Sequence, residues 1–146
     1  MSQVAWHYTV ISKIPDILSS GELRPTAVLA TRGERPALWF STHPVWEPTA
    51  TKMLMRADGQ IYQPTPAELH EVAGLCRFAL ATYAKRLQPF QDLARQLRMP
   101  AAEVQRLIVS GLAQGARPIQ WWGTMRAISL ADLQLERWNG SCWKPD

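Results

Sequence analysis

The sequence predicts an α+β domain, with strands early and late in the chain around a helical middle. Three observations predict it. Strand-like runs occupy 4–11, rich in β-branched and aromatic residues, 37–42 and the apolar 74–82. Two stretches with apolar residues at helical spacing fill the middle, about 84–114. Near the end, Asn139-Gly140 is the sharpest hairpin signal in the chain. Length and composition agree: 146 residues, 47% hydrophobic and 19% charged, suit one domain over 1–146 with a core that needs no staples.

The elements follow in order. Val4 to Ile11 reads as a strand. Ser12 is then a candidate N-cap for a short helix over Lys13–Ser20, with Ile14, Ile17 and Leu18 at helical spacing and Gly21 as its stop. Residues 24–36 read as loop, Ala37–Thr42 as a second strand closed by Pro44, and Thr49–Met55 as a short helix. Asp58-Gly59 and Pro64/Pro66 mark a connection. Gly74–Thr82 reads as a buried strand. In the first middle helix Leu87, Phe90, Ala94 and Leu97 form one face, opposed by Lys85, Gln88, Asp92 and Arg95. Pro100 opens the second at its first position, with Val104, Leu107, Ile108 and Leu112 inward and Gly115 at its end. Gly123–Leu130 and Leu133–Trp138 read as strands, and Ser141–Lys144 returns from the hairpin, pairing Trp138 with Trp143 across it. Trp121 and Trp122 are adjacent on an extended segment, so they face opposite ways and only one belongs to the core.

Several classes fall away. Cys76 and Cys142 are too few for a disulfide framework and lack zinc spacing, His7, His43 and His70 have no paired-ligand spacing, and no phosphate loop or nucleophile elbow occurs. No metal is expected. No apolar run approaches the roughly 20 residues of a membrane span, and Met1–His7 lacks the basic and apolar regions of a signal peptide. The expectation is a soluble, cytoplasmic protein without a membrane partner.

Charge is uneven. The chain carries +4 in all, and residues 77–106 hold six Lys/Arg against two Asp/Glu, so the whole excess sits there. Within this segment, Asp92–Ile108 has the apolar spacing of a helix-turn-helix, with Arg95, Arg98 and Arg106 as candidate nucleic-acid contacts. Two packed helices need the same spacing to bury their faces. The second helix is also mostly Ala, Val, Leu and Ile, with few groups able to reach base edges.

The most informative stretch is the first. Trp6-His7-Tyr8-Thr9 lies on a strand, and the helix after it ends Ile17-Leu18-x-x-Gly21-x-Leu23-x-Pro25. Leu38-Trp39-Phe40-Ser41-Thr42 comes next, then Thr49-Ala50-Thr51 and later Leu75-Cys76-Arg77-Phe78-Ala79-Leu80. In order and spacing, residues 4–82 resemble the ADP-ribosyltransferase superfamily. The likeness is to the branch opening on a strand-borne His-x-[Ser/Thr], shared by poly-ADP-ribose polymerases, DNA-modifying toxins of the DarT kind and RNA 2′-phosphotransferases. The resemblance implies a split β-sheet core, with the helical pair inserted, and NAD as the substrate. It implies that His7 bonds a ribose hydroxyl, that Thr9 and Ser41 contact the same sugar or the carboxamide, and that Trp39 stacks on the cationic pyridinium where the family usually has Tyr. Tyr8, Phe40, Thr42 and Thr49 fall within the same cofactor-binding motifs. Arg24, Arg32 and Arg35 are candidates for the pyrophosphate. The acceptor implied is a nucleic acid or a protein, in the manner of toxin or phage-encoded relatives. Read without the resemblance, His7 is equally a satisfied structural histidine and Trp39-Phe40 plain core.

The family's acid is the departure. Laying Met125–Leu133 on the late strand puts Thr124 where the family has Glu, and Lys52 falls where a second stacking Tyr often sits. Glu136, Asp132 or Glu47 could supply the carboxylate. The reaction could instead need none, as in the RNA 2′-phosphotransferases, or the site could bind a nucleotide without reacting. Three functions stay open: a transferase acting on NAD, a non-catalytic nucleic-acid-binding or regulatory protein using segment 92–110, and a nucleotide- or protein-binding relative that has lost turnover.

Overall fold

The computed structural model describes residues 3–26, 36–50 and 54–146. The chain is a mixed α/β fold built on one large antiparallel sheet, compatible with the α+β class. In chain order the strands are β1 (Ala5–Val10), β2 (Glu22–Leu23), β3 (Leu38–Ser41), β4 (Leu54–Met55), β5 (Ile61–Tyr62), β6 (Leu75–Leu80), β7 (Gln88–Pro89), β8 (Trp121–Thr124), β9 (Ile128–Ser129), β10 (Gln134–Trp138) and β11 (Trp143–Pro145). The helices are α1 (Ile14–Ser20), α2 (Pro66–Ala73), α3 (Tyr83–Arg86), α4 (Phe90–Gln96) and α5 (Ala101–Ala113). The main sheet runs β11-β10-β6-β1-β3-β8-β7, and β2-β9 and β4-β5 form two small pairs.

The two faces of the sheet have different cover. Ala5, Leu38, Phe40, Cys76, Phe78 and Leu80 bury one face together with Ile14 of α1, Leu23 and Ile128. Across the sheet, Leu93 and Leu97 of α4 pack on Ala37, while Phe90, Ala116 and Trp121 pack with Val104, Leu107 and Ile108 of α5. Helices therefore cover both sides of β3 and β8.

Several sequence expectations meet their elements closely. The first, second and third long strands, the Gly21 helix stop (φ 76°) and the Trp138–Trp143 cross-strand pair all lie where the pattern puts them. Trp121 and Trp122 face opposite ways: Trp121 is buried on Phe90, and Trp122 is half-buried against Tyr83.

Other elements differ. Of the helix expected over Thr49–Met55, Thr49 and Ala50 lie in the 3-10 turn Pro48–Ala50, Leu54–Met55 forms β4, and 51–53 lie outside the described residues. The first middle helix is broken in two, because Pro89 has no N–H and cannot sit inside a helix. Gln88–Pro89 instead pairs as an edge strand on β8 before α4 begins. Pro100 caps α5 rather than opening it, and Leu112 is exposed while Gly111 is the buried position. Gly123–Leu130 divides into β8 and β9, and Lys13, not Ser12, caps α1. The connection before the third long strand contains α2, whose Thr65 and Glu68 form a capping box.

Candidate functional site

Strand β1 is central in the sheet, pairing with β6 along its whole length, Ala5 to Val10 against Leu80 to Leu75. Its other edge is different. Among the described residues β1 and β3 pair at one register point, Trp6 opposite Ser41. Beside that point the imidazole Nδ1 of His7 donates to the carbonyl of Trp39 at 2.7 Å. A carbonyl carries no proton, so the hydrogen of this bond lies on Nδ1.

A cleft of about 1050 Å³ opens here. His7, Tyr8, Thr9, Arg24, Trp39, Phe40, Ser41 and Thr49 of the resemblance all border it. The structure thus brings most of the sequence-selected residues to one hollow, although not in one layer. Successive strand side chains alternate, so Phe40 and Trp39 face opposite sides of β3. Phe40 meets the His7 ring at 5.6 Å, and Trp39 meets Phe90 at 5.8 Å. The imidazole and the indole border the same cleft without stacking on each other.

The Trp39 side has an aromatic wall continued by Phe90 and Trp121, whose rings meet edge-on at 5.1 Å. Trp39 is 37% exposed, so its flat face is not fully committed to packing. Helix α5 closes this wall at close range. A Cβ on Gly111 would stand 2.5 Å from the Trp121 ring, so the helix reaches the indole only because that side chain is absent.

Glu47 is the centre of the wall. It borders the cleft, is 4% exposed and accepts from four donors. Oε2 takes the Ser41 hydroxyl at 2.7 Å. Oε1 takes the Thr49 hydroxyl at 2.7 Å, the Thr49 backbone N–H at 3.2 Å and the Trp121 indole N–H at 3.1 Å. A carboxylate held this way cannot rotate, and Oε2, with one donor, keeps lone-pair capacity. Burial beside this group pushes the Tyr8 phenol above its ordinary value, although the Arg77 guanidinium opposes the shift.

Of the three candidate carboxylates, only Glu47 borders the cleft. Glu136 is paired with Arg77 at 2.8 Å, and Asp132 with Arg86 at 3.0 Å. Thr124, at the position of the family's acid, lies at the end of β8, where its hydroxyl accepts from the Arg126 N–H. The sequence held one hint of Glu47 beyond its acidity, a carboxylate between Trp46 and Pro48 close after a buried strand. Lys13, Asp16, Glu103 and Gln114 also border the cleft and carried no signal, and Ser110, a candidate only for a nucleic-acid contact, borders it too. They come from α1 and α5 or the residues capping them, and only packing brings them in.

The remaining candidates lie as follows. Thr42 is not at the cleft; its N–H bonds the Gln120 carbonyl. Arg24 is paired with Glu22 at 2.8 Å. Arg32, Arg35, Thr51 and Lys52 lie outside the described residues. Arg95 pairs with Asp92 and Arg106 with Glu103, each one helical turn away, so part of the segment's positive charge is balanced locally. Arg106 borders the cleft, while Arg98 sits at the exposed turn between α4 and α5. The exposed residues of α5 include Val109 and Leu112. Among the described residues no group of three His, Cys, Asp or Glu could hold a metal ion, and no helix is long and apolar enough to cross a membrane.

No protein-family model matches the chain, and neither a curated protein nor a solved structure matches it.

Proposed function

We propose that this cleft binds NAD and that the protein is an ADP-ribosyltransferase-like enzyme, transferring ADP-ribose to a nucleic acid or a protein. One observation carries the reading: His7 and Trp39 border a single cleft whose wall holds a buried, fourfold-bonded carboxylate, Glu47. Breaking the nicotinamide–ribose bond builds positive charge on the sugar, and a fixed negative group in a water-poor wall stabilises that charge best. Glu47 takes this part in place of the acid missing at Thr124. The exposed face of Trp39 suits a cationic pyridinium, worth about 0.5–2 kcal/mol for a well-placed ring. His7, oriented by the Trp39 carbonyl, bonds a ribose hydroxyl. Lys13, Arg24 and Arg106 border the same cleft, the two arginines already paired with Glu22 and Glu103, and are the cationic groups proposed to take the pyrophosphate.

Addition of millimolar NAD is expected to raise the melting temperature of the wild-type protein, and His7→Ala to abolish the shift. Melting that ignores NAD would end this reading. A second reading has its own support. The Ser41 and Thr49 hydroxyls both donate to Glu47, and Oε1 is saturated by three donors, a pattern that also suits a carboxylate serving only to build a binding cleft. Release of nicotinamide by the wild-type protein but not by Glu47→Gln separates the two.

A further inference from the structure

The segment that carries Glu47 is a tight turn held from outside by the far end of the chain. Within the turn, the Nδ1 of His43 accepts from the N–H groups of Val45 and Trp46, both at 3.2 Å. Outside it, the Trp143 indole N–H of β11 donates to the Val45 carbonyl at 2.7 Å, and Arg77 Nη1 of β6 donates to the Pro44 carbonyl at 2.9 Å. The Arg77 guanidinium lies between two indole faces, 4.4 Å from Trp6 and 4.3 Å from Trp143, and its Nε is paired with Glu136 of β10 at 2.8 Å. Trp46, the residue before Glu47, lies parallel to Trp143 at 6.5 Å and edge-on to Tyr8 at 4.9 Å.

We infer that Arg77 and Trp143 are positioning residues for the cleft: they clamp the Pro44–Trp46 turn and so fix the carboxylate of Glu47. The physical case is one of preorganisation. Glu47 follows the turn directly, and its useful geometry depends on where the turn's backbone sits. Backbone carbonyls 44 and 45 are fixed by side chains whose own positions are fixed, one by two aromatic faces and an ion pair, the other by a hairpin. The C-terminal hairpin, which borders no part of the cleft, is thereby part of the site's machinery. This inference rests on the reading of Glu47 as the site's working carboxylate.

The test replaces Trp143 by Phe, which keeps an aromatic ring over Arg77 but removes the donor to Val45, with Lys144→Ala, an exposed residue of the same strand, as the control. Two readouts are taken. The first needs no ligand: hydrogen exchange of the Trp121 indole N–H, which donates to Glu47, followed by nuclear magnetic resonance. The second is the NAD dissociation constant of Trp143→Phe, Glu47→Gln and the double variant. In Trp143→Phe the Trp121 N–H is expected to exchange about tenfold faster, and NAD to bind about tenfold more weakly, as for loss of one buried hydrogen bond. Lys144→Ala should leave both unchanged. Because Trp143 acts through Glu47, the double variant should lose about tenfold, not the about hundredfold of independent sites. Wild-type exchange of the Trp121 N–H in Trp143→Phe, or additive losses, would overturn the clamp. Failure of the wild-type protein to bind NAD would overturn only the function proposed above, and the exchange arm would still decide the clamp. If Trp143→Phe fails to fold, Arg77→Lys, which keeps the charge between the indoles but loses the forked donor, is judged by the same two readouts.

Discussion

Among the described residues, Glu47 and Arg77 are the two buried charged side chains, and each is held in a way that fits its chemistry. Burying a charge is costly unless hydrogen bonds replace water. Glu47 receives four donors, while Arg77 is shared among an ion pair, a carbonyl and two aromatic faces. Tyr8 stands opposite Arg77 in the sheet, and its phenol is raised above the ordinary 10.0 chiefly by burial. The sign of the consequence follows from which form is neutral. The protonated phenol is the form that burial favours, so the folded protein keeps its proton to higher pH than the unfolded chain. The stability Tyr8 contributes is therefore complete below about pH 10 and is lost as pH rises through the raised value. Equilibrium unfolding of wild type against Tyr8→Phe, across neutral to strongly alkaline pH, checks this. The wild type should lose stability more steeply above pH 10, and tyrosinate absorbance should show one late-ionising phenol that the variant lacks. Of the residues bordering the cleft, His7, Trp39 and Ser41 were singled out in the sequence by the order of their motifs. Glu47 was one of three possible acids, since nothing local distinguishes a cleft carboxylate from a surface one.

Among the elements, the turn between α4 and α5 combines a familiar geometry with an unusual residue. The Met99 N–H reaches the Ala94 carbonyl at 3.0 Å, and the Arg98 N–H reaches that of Arg95 at 3.1 Å. These two bonds make a Schellman ending with Arg98 in the left-handed position, at φ 57°. Gly is the residue most often found at such a position. A side chain in this conformation costs about 1 kcal/mol relative to Gly. Arg98→Gly is expected to stabilise the protein by about that amount in urea unfolding, with no change in NAD binding, because Arg98 does not border the cleft. The opposite case is Gly123 on β8. A Cβ there would stand 2.6 Å from Leu93 and 2.8 Å from the Leu38 carbonyl, so Gly is what lets α4 lie flat on the sheet. Periodicity found the apolar faces of this helical pair but ran them through Pro89. Spacing alone cannot tell one bent helix from a short helix, an edge strand and another helix.

Across the whole molecule, Arg77 ties together four separated parts of the chain: Trp6 of β1, the Pro44–Val45 turn, Glu136 of β10 and Trp143 of β11. Removing one partner of a buried pair leaves the other charge uncompensated, which costs about 3–5 kcal/mol. Glu136→Leu is expected to destabilise the fold by that amount in denaturant titration. A loss below about 1 kcal/mol would mean that the pair behaves as a surface one.

By itself the sequence determined the long strands, the Gly21 stop, the hairpin at Asn139-Gly140 and the opposed facing of Trp121 and Trp122. These depend on neighbours a few residues away, through alternation, turn chemistry and backbone freedom. Only the tertiary structure decided which carboxylate stands in the cleft, that α5 forms one of its walls, and that the imidazole and the indole lie on opposite sides of β3. The physical reason is sequence distance. Glu47 is joined to Trp121 across 74 positions, and Trp143 to Val45 across 98, so these contacts exist only after the sheet has aligned.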